Sequence, residues 1–354
     1  MHTSIVPMDM QNTDEQIDAA AALLRAGQVV AFPTETVYGL GSNALDPGAV
    51  ARIFSAKGRP ADNPLIVHIS HPAEADAVAE VPGPARRLME AFWPGPLTLV
   101  MRKRESIPPI VTAGLSTVAV RMPAHPVALA LIEAAELPIA APSANRSGRP
   151  SPTTADHVAE DMRGRIPLIL DGGPCRVGIE STVLDVSESP VTLLRPGDVT
   201  VDMLENVLGE PVHIPDAVLA ALTEGQTARS PGLKHTHYAP RAPLTVVTGS
   251  PGHIVSYIQG QIDISKDARS LGILSASETA DRYHGARVIP LGSRHAPKEM
   301  AHSLFSALRQ MDAWRVERIL AEGISPEGEG LAYMNRLLRA AGFATVDADR
   351  EAGV

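Results

Sequence analysis

The chain reads as two α/β domains: an open, twisted sandwich built on a mixed sheet, followed by a small Rossmann-like domain with a parallel sheet. Three observations predict this. The chain has 354 residues, and at about 150 residues per domain that length suggests two. Short β-like runs and amphipathic helices share the first 212 residues without regular alternation, which favours a mixed sheet over a doubly wound one. From Leu244 onward strand and helix patterns alternate strictly, the signature of a parallel sheet.

Thr13 with Gln16 three residues on reads as a capping box, and Ile17, Ala20, Ala21 and Leu24 form the apolar face of a helix that Gly27 ends. A strand over Gln28–Phe32 is stopped by Pro33. Asp46, Pro47 and Gly58 bracket a second helix carrying Val50, Ile53 and Phe54. Further strands are expected at 65–69, 97–101, 117–121, 168–170, 182–186 and 191–194, and helices at 124–135, 154–162 and 201–208. From about Pro211 to Pro243 the chain turns loop-like. The sequence then predicts strands at 244–247, 271–274, 287–290 and 318–321, with helices at 254–264, 298–312 and 331–340. The resulting division is 1–212, a linker over 213–243, and 244–354.

Composition narrows the function. Apolar residues make up 44% and charged residues 20%, ordinary globular usage. The 31 prolines exceed the usual share of about 5%, so much of the chain is shaped loop. A single cysteine, Cys175, excludes an intramolecular disulfide and any multi-cysteine metal site, which fits a reducing compartment. No apolar run reaches the ~18 residues that span a bilayer, and residues 1–16 lack a basic and apolar leader, so a cytoplasmic protein without membrane partners is expected. Net charge is −9, and residues 1–212 carry 16 basic against 25 acidic side chains. That balance argues against a broad grip on nucleic acid and requires any anion site to be a local pocket.

Standard motifs are missing. Neither G-x-x-x-x-G-K-[ST], H-E-x-x-H nor G-x-S-x-G occurs, and Gly249-Ser250-Pro251-Gly252 is not the dinucleotide fingerprint. His235 and His237 are spaced like metal ligands but have no evident third partner.

The unusual feature is a recurrence of hydroxyls, glycines, prolines and cations at strand ends. Phe32-Pro33-Thr34-Glu35-Thr36-Val37-Tyr38-Gly39-Leu40-Gly41 offers two hydroxyls with flexible glycines behind them, suited to a polar small molecule. Lys57-Gly58-Arg59-Pro60-Ala61-Asp62-Asn63-Pro64 sets two cations between prolines, a preorganised anion site or a solvated pair at a helix end. Arg121 closes an apolar strand, where a guanidinium suits a carboxylate, a phosphate or an internal salt bridge. The loop 140–153 carries Ser143, Asn145, Arg146, Arg149 and Ser151 into a helix N-terminus that favours anions. Asp171-Gly172-Gly173 with Gly178-Ile179-Glu180-Ser181-Thr182, and Leu194-Arg195-Pro196-Gly197, complete six clusters. Together they argue for one concave, locally positive pocket.

The strings FPTETVYGLG, KGRPADNPL, WPGPLT, TVAVRMPAHP, PIAAPSANRSGRPSPT, GIESTVLD and LLRPG resemble the YrdC/Sua5 family of L-threonylcarbamoyladenylate synthases, and SPGLKHTHYAP and the domain after it resemble the long Sua5 type. The resemblance implies a YrdC-like sandwich and a nucleotidyltransferase that makes threonylcarbamoyl-AMP and pyrophosphate from L-threonine, bicarbonate or CO2, and ATP with Mg2+. The product would feed t6A37 modification of tRNA through a separate transferase complex, with tRNA involved only indirectly. Carried onto this sequence, L-threonine would be held by Thr34, His68, Arg121, Ala141 and Ser181. ATP would be held by Lys57, Arg59, Asn63, Thr117, Ser143, Ser151 and Arg195 with Asn145 in support, and Lys57, Arg59 and Arg195 would neutralise charge during the reaction. The linker would fold over the pocket mouth and bring Tyr238, with His237, to the nucleotide. Two other readings remain open from sequence: a double-stranded RNA-binding module without turnover, disfavoured by the charge, and a carbamoyl-transfer domain of the hydrogenase-maturation kind, disfavoured by the single cysteine.

Overall fold

The computed structural model describes residues 1–8, 13–220 and 238–353. Most of the expected linker, with His235 and His237, lies outside the described residues. The described chain divides into two compact units, one formed by 1–147 with 151–218 and the other by 148–150, 219–220 and 238–353.

The first unit is built on a mixed sheet. Its strands are β1 (Ser4–Pro7), β2 (Val30–Phe32), β3 (Gly39–Asn43), β4 (Ile66–His68), β5 (Ala79–Glu80), β6 (Leu97–Lys103), β7 (Thr117–Arg121), β8 (Ile139–Ala141), β9 (Leu168–Asp171), β10 (Thr182–Asp185) and β11 (Thr192–Arg195). They run β1-β9-β2-β3-β8-β4-β7-β6-β10-β11, with β5 paired to β6. β4 with β7 and β6 with β10 are parallel, whereas β2 with β3, β8 with β4 and β7 with β6 are antiparallel. Helices Thr13–Arg25 and Pro126–Ala135 bury Ile17, Leu24, Val127 and Leu131 against Val30, Phe32, Ile139 and Leu168 of the sheet.

Local chemistry sets the helix ends. The Asp46 carboxylate accepts from the Gly48 N–H, Pro47 starts the helix Pro47–Lys57, and Gly58 ends it in the left-handed region at φ 62°. The helix expected from 124 starts at Pro126, because His125 caps it through its ring nitrogen. Strands β1, β3, β5 and β8 and the helix Gly83–Phe92 are absent from the sequence reading. The correction with most meaning is at β3. Gly39 and Gly41 are strand residues, not flexible loop: a Cβ on Gly41 would stand 2.6 Å from Ile139 Cγ2 and 2.7 Å from the Phe32 ring. These glycines are there for close packing.

The second unit holds an all-parallel sheet of β12 (Leu244–Thr248), β13 (Leu271–Ser275), β14 (Arg287–Pro290), β15 (Arg318–Glu322) and β16 (Thr345–Asp347), in the order β14-β13-β15-β12-β16. Helix Pro251–Asp263 packs Ile254, Ile258 and Ile262 on Val247, Ile273 and Leu320. β16 is the strand the sequence reading lacks. At the C-terminal end of β15 the fully buried Glu322 carboxylate accepts from Tyr283 Oη at 2.6 Å, from the Thr279 hydroxyl and from Arg294 Nη2 at 2.6 Å.

Candidate active site

The site grows from the parallel pair β4–β7, whose register sets His68 beside Arg121 at the strand ends. Arg121 is 3% exposed. Its Nε donates to the Gly95 carbonyl at 3.1 Å and its Nη1 to Thr36 Oγ1 at 2.9 Å. Nη2 stands 2.6 Å from Glu35 Oε1, off the hydrogen-bonding line. Thr34 donates its one hydroxyl proton to the Val37 carbonyl at 2.6 Å, so in the 2.9 Å contact between the two hydroxyls Thr36 donates to Thr34. His68 is buried, meets the Phe32 ring edge-on at 6.1 Å, and its Nδ1–H donates to the Ile66 carbonyl at 3.2 Å. Burial, then the neighbouring guanidinium, pushes the imidazole pKa down to about 3, so His68 is neutral. Ala141 lies one strand away, opposite Ile66 on β8.

A second group forms around Lys57, at the end of its helix. Its Nζ donates to the carbonyls of Ser143 and Asn145, and the Lys57 carbonyl accepts from the Ser147 N–H at 3.1 Å. Burial, and after it the charge of Arg59, lowers the Lys57 pKa well below the ordinary lysine value. Ser143 donates to Asn145 Oδ1 at 2.5 Å, and Arg59 Nη2 to the Asn63 carbonyl at 3.0 Å. The Asn63 side chain is fully buried, yet neither amide atom has a hydrogen-bond partner among the described residues.

The third group joins Ser181 and Arg195. Arg195 Nε donates to the Ser181 carbonyl at 3.0 Å and Nη2 to its hydroxyl at 3.2 Å, while Thr98 Oγ1 lies 2.7 Å from the same hydroxyl. Next to Ser181, Glu180 accepts from Ser151 at 2.5 Å.

Backbone bonds tie the groups together. Val177 and Gly178 donate to the carbonyls of Glu35 and Thr36, Tyr38 donates to Pro152, and Ala144 donates to Tyr38. Thus the loops bearing Thr34, Ser143, Ser151 and Ser181 share one hydrogen-bonded network, to which Arg121, Lys57 and Arg195 are fastened. Thr117 opens β7 and is half-buried; Arg146 is exposed; Arg149 falls in the 148–150 segment of the second unit. Tyr238 also belongs to the second unit, its ring 4.9 Å from Phe305 and under the Arg336 guanidinium.

Sequence reading passed over one residue. Glu35 lies between the two threonines it singled out, 3% exposed, with neither carboxylate oxygen hydrogen-bonded among the described residues. The signal was present: Glu35 is the only charged residue between Gln28 and Leu45. Cys175 is buried nearby, its thiol pKa pushed up to about 12 by desolvation, and desolvation also lowers that of His125.

Comparison with known proteins gives this constellation a context. Residues 22–197 match the Sua5_yciO_yrdC family model, described as telomere recombination, and 199–342 match the model described as the threonylcarbamoyl-AMP synthase C-terminal domain. A threonylcarbamoyl-AMP synthase of Pyrococcus abyssi is 49% identical across 97% of this chain and 99% of that protein, and one of Bacillus subtilis is 50% identical across 94% and 95%. The crystal structure of P. abyssi Sua5 complexed with L-threonine superposes with a TM-score of 0.90 at 48% identity, covering 98% of this chain and 99% of that one. Both domain models, the end-to-end identity and the shared fold lead to one statement: the chain belongs to the Sua5/YrdC family, in its long form with a Sua5 C-terminal domain.

Proposed function

We propose that the protein is an L-threonylcarbamoyladenylate synthase, a nucleotidyltransferase that joins L-threonine, bicarbonate or CO2, and ATP into threonylcarbamoyl-AMP with release of pyrophosphate. The observation that carries this reading is the end-to-end likeness to enzymes of that name, one of them solved with L-threonine. The site's chemistry supports it. A buried guanidinium whose Nη2 lacks a hydrogen bond among the described residues suits the amino-acid carboxylate, and neutral His68, Thr34, Ala141 and Ser181 would shape the space for the side chain and amine. Held this way, the amine is oriented toward a one-carbon unit, and gains from positioning rather than from a protein nucleophile.

The carbamate oxygen then attacks the α-phosphorus while pyrophosphate leaves, a step governed by alignment and charge neutralisation. Lys57, Arg59 and Arg195 would supply that neutralisation, with Asn63, Thr117, Ser143, Asn145 and Ser151 binding the nucleotide. The depressed lysine pKa fits this role, because a docked polyphosphate offsets the cost of keeping a buried ammonium charged. The orphaned Asn63 amide is a donor and acceptor ready for a ligand. When bound, Mg2+ supplies further neutralisation of the phosphates. Mg2+ commonly keeps several waters and is bound through substrate phosphates, so it would enter with ATP. Tyr238 is assigned to the nucleotide as well. The product would serve a downstream t6A transferase complex, with tRNA reached only through it.

The test is substrate dependence. Pyrophosphate should be released from ATP only when L-threonine and bicarbonate are both present, with a product of the mass of threonylcarbamoyl-AMP. Release that ignores threonine would overturn the reading, and salt-sensitive RNA binding without turnover would favour the binding-module alternative.

A further inference from the structure

We infer that Glu35 is the proton acceptor that frees the amino group of the bound amino acid, making it a catalytic residue on the threonine side of the site. This rests on the synthase reading and deepens it. An amino acid in water carries an ammonium group, which has no lone pair with which to attack a one-carbon unit. A site for the carboxylate alone would bind the substrate in an unreactive form.

Arg121 and Glu35 form a buried, oppositely charged pair, with Nη2 and Oε1 2.6 Å apart and side chains 4% and 3% exposed. A zwitterion is the mirror of that pair. Its carboxylate would take Nη2, the one Arg121 nitrogen without a hydrogen bond among the described residues, and its ammonium would then fall beside the Glu35 carboxylate that faces the same atom. Among the described residues both Glu35 oxygens lack a hydrogen-bond donor, although buried carboxylates are ordinarily satisfied. They are therefore poised to receive an N–H. Other ionisable groups around the pair are poor acceptors: His68 and His125 are held toward the neutral form as weak bases, and Cys175 is held as a thiol. In a site shut off from water, transfer replaces a charged ammonium–carboxylate pair by a neutral amine and a neutral acid, which removes the cost of burying both charges.

The step is a single proton transfer. An N–H bond of the ammonium breaks, an O–H bond forms on Glu35, and the electron pair stays on nitrogen. That pair makes the C–N bond to the carbon of bicarbonate, and the second proton leaves nitrogen with the departing hydroxide as water. Glu35 is asked to take one proton and returns it to solvent after the product leaves.

Glu35→Gln keeps the volume and an oxygen facing Arg121, but cannot take the proton. With the full chain, kcat for threonine- and bicarbonate-dependent pyrophosphate release at pH 7 is expected to fall at least ~100-fold, the lower end of general-base contributions. Threonine affinity by calorimetry is expected to stay within about fivefold. The residual rate should climb about tenfold per pH unit with the free-amine fraction of threonine, a slope the unsubstituted protein lacks. Glu35→Asp, which keeps a charge opposite Arg121, should lose rate without acquiring that slope. A Glu35→Gln rate within about threefold of the parent overturns the proposal, as does the same slope in both variants or a loss confined to threonine affinity and melting temperature. Failure of the synthase reading looks different: the unsubstituted protein would release pyrophosphate without needing threonine.

Discussion

Two buried carboxylates, one in each unit, are held in opposite ways. In the second, the Glu322 carboxylate is fully enclosed and satisfied by Thr279, Tyr283 and Arg294, a closed arrangement in which every partner is protein. In the first, Glu35 and Arg121 are as deeply enclosed, yet both Glu35 oxygens, Arg121 Nη2 and the Asn63 amide lack hydrogen bonds among the described residues. A buried polar atom without a partner costs about 1–3 kcal/mol. Under the function proposed above, the Glu35, Arg121 and Asn63 atoms are ones a bound substrate would satisfy, whereas the Glu322 arrangement serves the fold that contains it.

Three experiments press on that contrast, from the largest effect to the smallest. Glu322→Ala strands a part-buried guanidinium and two buried hydroxyls, so the unfolding free energy of the second unit is expected to drop by about 2–4 kcal/mol in urea titration. Threonine affinity should be unchanged; a harmless substitution would show that the cluster is not structural. The second concerns His68. Its folded pKa of about 3 lies below the ordinary 6.5, so the unfolded chain binds more protons between those values. Stability therefore rises with pH across that window and is lost as pH falls through it, by up to about 1.4 kcal/mol per unit. Denaturant midpoints from pH 7 to 4 should show this slope, and His68→Gln should flatten it. Third, Asn63→Leu removes two orphaned atoms at nearly constant volume. Stability is expected to hold or rise by about 1 kcal/mol while ATP binding weakens at least tenfold, measured by calorimetry; a large loss of stability would mean that the amide serves the fold.

The same contrast explains what was legible beforehand. The second unit follows from periodicity because each of its strands is apolar and each connection regular; only the short β16, Thr-Val-Asp, escapes. In the first unit the helices could be read, since Asp46, Pro47 and Gly58 are local devices. β3 could not, because Gly-Leu-Gly-Ser-Asn has the composition of a turn, and its glycines answer to Phe32 and Ile139, far along the chain. β8 is three residues of Ile-Ala-Ala set between prolines, too short to announce itself. For the site, motif resemblance supplied the residues that the hydrogen-bonded network joins, including Thr34, Lys57, Arg121, Ser143, Ser151, Ser181 and Arg195. It did not supply Glu35, whose meaning depends on the distance to Arg121 and on the missing donors around it.

The bare backbone at Gly41 also bears on recognition. The Phe32 ring lies where a side chain at 41 would stand, and that ring stands perpendicular to the His68 imidazole, 6.1 Å between centres. One aromatic plane thus acts as a spacer between the sheet's tightest seam and a group proposed to touch the amino acid. Adding even a methyl to that seam would press on the ring, so a cost in stability of about 1–3 kcal/mol would come together with a disturbance of the His68 side of the site.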